Sequence, residues 1–267
     1  MRTDFQDLLI QEDNHVLKIT MNRPEVYNAF NDTMLDEMGE VLETAAEDKT
    51  VRCVVITGAG RAFGSGQDLR TFGAIHASRG DAPLKVSDHL HRYHRMVYAI
   101  RQMPKPVIAA VHGVAAGASC NLALACDMRI AAENARFIEA FARIGLVPDA
   151  GGGFFLPRLV GIGKAMELAM LADEVSGQEA ERLGLVNRCV PLDEFEAATT
   201  AFAQRLANGP TQAYALIKEL MNKSLESDLK TILKLEGELQ DIAINTADHR
   251  EGVTAFLEKR SPHYHGK

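Results

Sequence analysis

Positive charge is in short supply in this 267-residue chain, which carries 29 Lys and Arg against 36 Asp and Glu for a formal net charge of −7. Phosphate-backbone binding needs clustered basic side chains, so no nucleic-acid partner is expected, and an anionic ligand would have to be handled locally. Apolar runs of membrane-spanning length are also missing. The stretch from Met1 to Asn14 mixes polar and apolar side chains where a secretory leader would be unbroken and apolar, so cytoplasmic residence without a membrane partner is the expectation. Cys53, Cys120, Cys126 and Cys189 include no CxxC pair and no small disulfide framework, which leaves reduced packing roles. His89, His91 and His94 lie close together, but only His91 and His94 would share a helix face and spacing fixes no acidic partner, so no metal is expected.

Two catalytic signatures are absent as well. TGAGRAFGSG fails the GxGxxG spacing of a dinucleotide fold, although Tyr214 and Lys218 supply a Tyr-x-x-x-Lys pair. Neither Gly64-Ser65-Gly66 nor Gly117-Ala118-Ser119 forms the GxSxG elbow of a serine hydrolase. Solenoid-length repeats and low-complexity tracts are not seen.

What is present is an ordinary globular composition, 46% hydrophobic and 24% charged, long enough for one large core and a smaller appended piece. Phe5 to Met21 reads as two strands joined by a turn at Asn14-His15. Asn31-Asp32 offer cap chemistry for a helix with Met34, Leu35, Met38, Val41 and Leu42 at helical spacing. Cys53-Val54-Val55-Ile56 and Val107-Ile108-Ala109-Ala110-Val111 are short apolar runs suited to strands buried on both faces. Strands separated by helical stretches and closed by glycine turns point to α/β crossover units over residues 1–207. After Asn208-Gly209-Pro210 the pattern turns almost wholly helical, making residues 208–267 a helix cluster.

Two glycine turns follow the buried strands, AFGSGQDL at 62–69 and GVAAGASCN at 113–121. Glycine lets the main chain approach a ligand closely, and a helix N-terminus leaves N–H donors unpaired, so two such turns can converge as an oxyanion hole. Either turn alone is equally well a tight connection.

Taken with NRPEVYNAF at 22–30, GLVPDAGG at 145–152 and FLEKR at the chain end, the order and spacing of these motifs resemble the crotonase (enoyl-CoA hydratase/isomerase) superfamily over essentially the whole chain. The resemblance implies a spiral of ββα units with a C-terminal helical trimerisation region, a homotrimer or dimer of trimers, and an acyl-CoA thioester substrate whose coenzyme A is part of the substrate and not a separate cofactor. It places the oxyanion donors at the backbone N–H groups of Gln67 and Ala118, beside Gly66 and Gly117. Val26 and Ala29 would line the coenzyme A groove, with Asp68, Leu69 and Arg70 continuing its wall. Lys259 would be offered to coenzyme A phosphates, against the plainer role of a solvated terminal lysine.

The chain departs from the hydratase pattern at both glutamate positions, which hold Asn121 and Phe141; these are expected to line the acyl pocket without titrating. The remaining carboxylate at a matching position is Asp149, similar to the 1,2-epoxyphenylacetyl-CoA isomerase-like branch, which shares GQDL, GVAAGA and PD-x-GG. A single carboxylate suffices for isomerisation because it can remove a proton from one carbon and return it to another. The plainer reading of Asp149 is an N-cap on a helix near Gly151. Glu139 is expected to face a partner subunit more than to line the pocket, and Asp127 to be a buried structural acceptor. An enoyl-CoA hydratase, and a noncatalytic coenzyme A-binding or scaffold protein, stand as alternatives.

Overall fold

The computed structural model describes residues 2–70 and 85–267. Part of the Thr71 to Arg101 stretch, expected to supply acyl-pocket residues, therefore lies outside the described residues.

Strand β1 (Leu8–Asp13) returns antiparallel along β2 (Val16–Met21) with Asp13 opposite Val16. The connecting Asn14 and His15 both take positive φ, 47° and 68°, the geometry that matches a two-residue turn to the twist of its strands. Helix α1 (Asp32–Glu47) is capped by the Asn31 side chain, which accepts from Met34 N at 2.7 Å. The apolar positions read from the sequence are its buried face.

Next come β3 (Cys53–Gly58), α2 (Ser87–Gln102), β4 (Val107–Val111), β5 (Val114–Ala116), α3 (Ala118–Ala125), β6 (Met128–Ala132), β7 (Arg136–Ile138), α4 (Gly152–Val160), α5 (Ile162–Leu171), β8 (Val175–Ser176), α6 (Gly177–Leu183) and β9 (Arg188–Val190). The larger sheet runs β1-β2-β3-β4-β6-β9 and is parallel from β2 onward. The smaller runs β5-β7-β8. Each of β4-β5-α3 and β6-β7-α4 thus sends one strand to each sheet and then a helix, which is the expected ββα repeat. Single bridges, Phe30 to Gln67 and Gly64 to Ala115, stitch the first glycine turn between neighbouring segments.

The double burial of β3 and β4 has a simple cause. Val54, Ile56, Val107, Ala109 and Val111 face a core shared with α1 and α2, while Cys53, Val55, Ile108 and Ala110 face Phe195, Ala203 and Ala207 of helix α7 (Phe195–Ala207). Alternate side chains point to opposite faces, so only an unbroken apolar run satisfies both layers. All four cysteines are free; three are buried and Cys189 is half-buried.

The C-terminal helices α8 (Thr211–Ser224), α9 (Leu229–Ala243) and α10 (Ala247–Glu258) are tied to this body by cations. Lys218 donates to Asp127 at 2.7 Å and to the carbonyls of Ile100 and Lys105, so it is a structural tether and not half of a dehydrogenase pair. Asp127 also accepts from Val107 N at 2.8 Å, so it is a structural acceptor as expected, though half-buried and not fully buried. Arg52, at the foot of β3, donates to Thr211 Oγ1 at 2.8 Å, to the Gly209 carbonyl and to the Tyr264 carbonyl at 3.1 Å.

Removing the acid of a part-buried ion pair strands its cation, here Lys218 with Arg101 beside it, at a cost somewhat below the about 3–5 kcal/mol of a fully buried pair. Asp127→Ala is expected to lower the urea midpoint of unfolding accordingly, and an unchanged midpoint would show that Lys218 finds enough compensation in its two carbonyls.

Candidate active site

Every amide from Phe63 to Asp68 except that of Gln67 can be followed to its acceptor. Phe63 N donates to His112 O, Gly64 N to Val114 O, Ser65 N to Tyr27 O, Gly66 N to Ser119 Oγ and Asp68 N to Phe30 O, all between 2.8 and 3.0 Å. Gln67 N alone in this run has no acceptor among the described residues. In the second turn Gly117 N is used on Ile138 O at 2.9 Å, while Ala118 N, the first amide of α3, is likewise free. A main-chain amide with no protein acceptor is open to water or to a ligand, and two of them in adjoining turns can serve one oxygen.

The turns meet at Gly66. A β-carbon there would lie 2.9 Å from Ala116 O and 3.4 Å from Ala118 N, and Gly66 sits at φ 87°, so only glycine lets the first turn approach the second amide. Asn28 supports the first turn from beneath. Fully buried, it donates to the carbonyls of Ala59 and Ala62 at 2.9 and 2.8 Å. The Gln67 side chain is pinned outward of its amide: its Oε1 accepts from the buried Tyr93 hydroxyl at 2.5 Å and lies 3.0 Å from His89 Nε2. Burial pushes the Tyr93 phenol well above its ordinary range, so it remains a donor. Sequence reasoning did not pair Asn28, Ser119, His89 or Tyr93 with these turns. His89 and Tyr93 reach Gln67 from a helix more than twenty residues downstream, and no short-range pattern announces that.

Around the turns the remaining expected residues are spread along a wall. Val26 offers its carbonyl to Ser65 Oγ at 3.1 Å, and the Ala29 carbonyl is taken by Arg23 at 2.6 Å. Asp68 is buried and bonded by Arg70 and Arg23; the Arg70 guanidinium above all holds its carboxyl down at about 2. Leu69 and Arg70 project outward. Phe141 is buried, its ring 3.9 Å from where a Gly117 β-carbon would stand. Lys259 is exposed at the end of α10 in left-handed conformation, and no described contact joins it to the turns.

Asn121 is fully buried and does more than line a pocket. Its Nδ2 donates to the Asp149 carbonyl at 2.9 Å, a carbonyl that also accepts from Gly152 N at 2.8 Å. Ala150 and Gly151 then turn the chain through φ 46° and 86° into α4. The N-cap of α4 is Gly151, with no side-chain cap bond, so the Asp149 carboxylate does not cap this helix. Its Oδ1 is buried with no partner, and burial raises its pKa to about 6. Glu139 does not face outward: it is 4% exposed within the chain and lies against Cys120 and Asn121. The outward reading failed because the walls around Glu139 come from segments remote in sequence.

Beside Gly151 opens a groove of ≈ 990 Å³ whose walls mix apolar side chains such as Val97, Phe154 and Leu216 with charged ones such as Arg101, Glu219 and Lys223. The arrangement can therefore hold an oxygen between two main-chain amides, with a weakly solvated carboxylate on the next loop and a partly apolar groove beyond it.

Two free main-chain donors in adjoining glycine turns are the arrangement that the resemblance to the enoyl-CoA hydratase/isomerase class calls for. The chain belongs to that family: the family described as enoyl-CoA hydratase/isomerase matches residues 11–267. It is 46% identical over 249 residues to a protein of Rhodobacter capsulatus described as a probable enoyl-CoA hydratase, covering 93% of this chain and 94% of that one. It is 41% identical over 260 residues to the 1,2-epoxyphenylacetyl-CoA isomerase of Escherichia coli, covering 97% and 98%. The crystal structure of the enoyl-CoA hydratase from Bacillus anthracis superposes with a TM-score of 0.91 at 35% identity, over 98% of this chain and 100% of that one. Relatives thus carry both reaction names, and the crotonase fold expected from the motifs is the fold observed.

A raised carboxylate pKa has a thermodynamic signature. Folded Asp149 holds its proton more tightly than the unfolded chain, so folding takes up a proton between about pH 4 and 6 and stability falls as pH rises through that window. Above it the full penalty of a buried charge remains. Asp149→Asn removes that charge and is expected to be more stable than the parent at alkaline pH by on the order of 2 kcal/mol, the difference closing near pH 4. A helix cap would give the opposite sign, a loss of about 1 kcal/mol, in the same urea titrations.

Proposed function

We propose that the protein is an acyl-CoA isomerase that shifts a double bond through a thioester enolate, with Asp149 as its acid/base. The observation that carries this reading is the half-buried Asp149 carboxylate, its Oδ1 unpartnered, on a loop held by Asn121, one of the two positions at which the resemblance calls for a hydratase glutamate. In the forward step Asp149 takes a proton from the carbon that loses it, and the C–H electron pair moves through the conjugated system onto the thioester oxygen. Gln67 N–H and Ala118 N–H hold that oxygen as it becomes negative. The same proton returns to a different carbon as the carbonyl re-forms, so no water or second carboxylate is consumed. Desolvation serves the chemistry, because a carboxylate with a pKa near 6 is a better proton acceptor than a solvated one yet is still ionised at neutral pH. The apolar wall of the groove beside Gly151, with Phe154 and Phe155, suits the acyl portion, and Val26, Ala29 and Arg70 suit the coenzyme A portion.

Hydration is the second reading, favoured by the names of several relatives. The two separate on one panel: 3-enoyl-CoA isomerisation is expected to exceed crotonyl-CoA hydration. Asp149→Asn should keep the fold and lose about a hundred- to ten-thousand-fold in turnover, and the parent rate should fall as pH drops below about 6, where the base becomes protonated. Ala118→Pro deletes one oxyanion donor and should cost about 3 kcal/mol of transition-state stabilisation. Rapid hydration by the parent, or full turnover by folded Asp149→Asn, would defeat the isomerase assignment.

The same reading extends to assembly. Val147, Met170, Leu229, Phe256 and Leu257 are each more than 65% exposed, a quantity of apolar surface that a second and third copy would bury. Light scattering at micromolar concentration is expected to give the mass of a trimer or a dimer of trimers; a monomer would overturn this.

A further inference from the structure

Only six side-chain polar atoms are buried without a partner among the described residues, and four of them belong to one cluster: Asn121 Oδ1, both oxygens of Glu139 and Asp149 Oδ1. With both carboxylates ionised, all four are acceptors. Acceptors packed together repel, and each unpaired one keeps its desolvation penalty. Asn121 Nδ2 gives one N–H to the Asp149 carbonyl, and its second N–H makes no hydrogen bond to either Glu139 oxygen. The Cys120 thiol beside Glu139 is a weak donor. The adjoining void, walled by Cys120, Phe137, Leu156, Leu168 and Asp173, measures ≈ 10 Å³, at the lower limit for a water molecule. The donor missing from the cluster is therefore a carboxyl proton.

We propose that Glu139 is a positioning residue that stands in its acid form, its carboxyl proton donated to Asn121 Oδ1, so that the Asn121 amide is locked with its NH2 on the carbonyl of Asp149. The chain of bonds runs from Glu139 O–H to Asn121 Oδ1, and from Asn121 Nδ2–H to Asp149 O. It holds the backbone of Asp149 against the left-handed turn at Ala150 while leaving the Asp149 carboxylate free. It also keeps a second negative charge away from that carboxylate. The surroundings favour the acid form: burial, partly offset by Asn121 and Cys120 and reinforced by Asp149, raises Glu139 to about 7. The groups that bear on it are Cys120 from α3, Asp149 from the loop before α4, and Asp173 from the segment before β8. The Arg129 cation on β6 is engaged by the carbonyls of Leu185 and Cys126. The proposal rests on Asp149 as the base for its kinetic consequence but not for the protonation itself.

Infrared titration of the ligand-free protein reads the proton directly. A protonated-carboxyl stretch that titrates near pH 7 and is missing from Glu139→Gln is expected; its absence at about pH 6 would overturn the proposal. The kinetic arm compares Glu139→Gln with Glu139→Leu on the 3-enoyl-CoA substrate that the parent turns over. Leucine should lower kcat by roughly ten- to a hundredfold with KM little changed, since the base is misplaced and binding is not. Glutamine keeps an N–H donor at the same place, so it should recover most of that loss and flatten the alkaline limb of the pH profile. Glutamine as inactive as leucine would mean that the carboxylate itself handles protons, and the positioning role would be wrong. If Glu139→Leu does not fold, the infrared band and the glutamine pH profile decide. Full turnover by Asp149→Asn would sink the choice of base while leaving the Glu139 band to be judged alone.

Discussion

A main-chain amide must donate to protein, ligand or water, and the two glycine turns of this molecule leave two amides with no protein acceptor among the described residues. The segment from Phe63 to Asp68 is held on one side by Tyr27 and Phe30 and on the other by His112, Val114 and Ser119, so its course is fixed by bonds to both neighbours. Gln67 N is what that bonding leaves over. Helix α3 supplies the second donor at no added cost, because the first amides of any helix lack an internal acceptor. The parallel sheets bring the two segments side by side, and the missing side chain at Gly66 lets them touch. Fold and site are in this sense one problem of hydrogen-bond satisfaction.

Asn121 shows how a single residue type can serve two ends. At that position an ionised glutamate would present only acceptors to the Asp149 carbonyl and would repel it, whereas an amide donates to it at 2.9 Å. An amide at this position brings no charge and is a support for the loop bearing Asp149. That loop needs one, since Ala150 is held at φ 46°, a conformation that a residue with a β-carbon adopts at a cost of about 1–3 kcal/mol.

The hairpin at Asn14-His15, the Asn31 cap and the doubly buried β3 and β4 were all readable from the chain, because each depends on residues within a few positions of one another. The glycine turns were readable as turns; that Gly66 stands against the Ala118 amide is a fact about sheet order that no local pattern carries. Asp149 before a helix is equally a cap or a free carboxylate on paper, and only the αL turn at Ala150 and Gly151, which hands the cap position to Gly151, separates them. Glu139 was the plainest miss. Its neighbours arrive from α3, α4, α5 and the approaches to β8 and β9, so its burial is a tertiary property. Lys259 was recognisable only through resemblance, and within one chain it remains a solvated side chain at a helix end.

The Arg52 tether has a consequence for how the chain is made. Arg52 is 8% exposed, and its acceptors lie 157, 159 and 212 residues further along, the last at Tyr264 near the C-terminus. Synthesis proceeds from the N-terminus, so β1, β2 and β3 emerge long before anything exists to receive that guanidinium. The strands that flank Arg52 are therefore made well before any of these three acceptors exists, and the guanidinium stays hydrated until residues 209–264 have followed it.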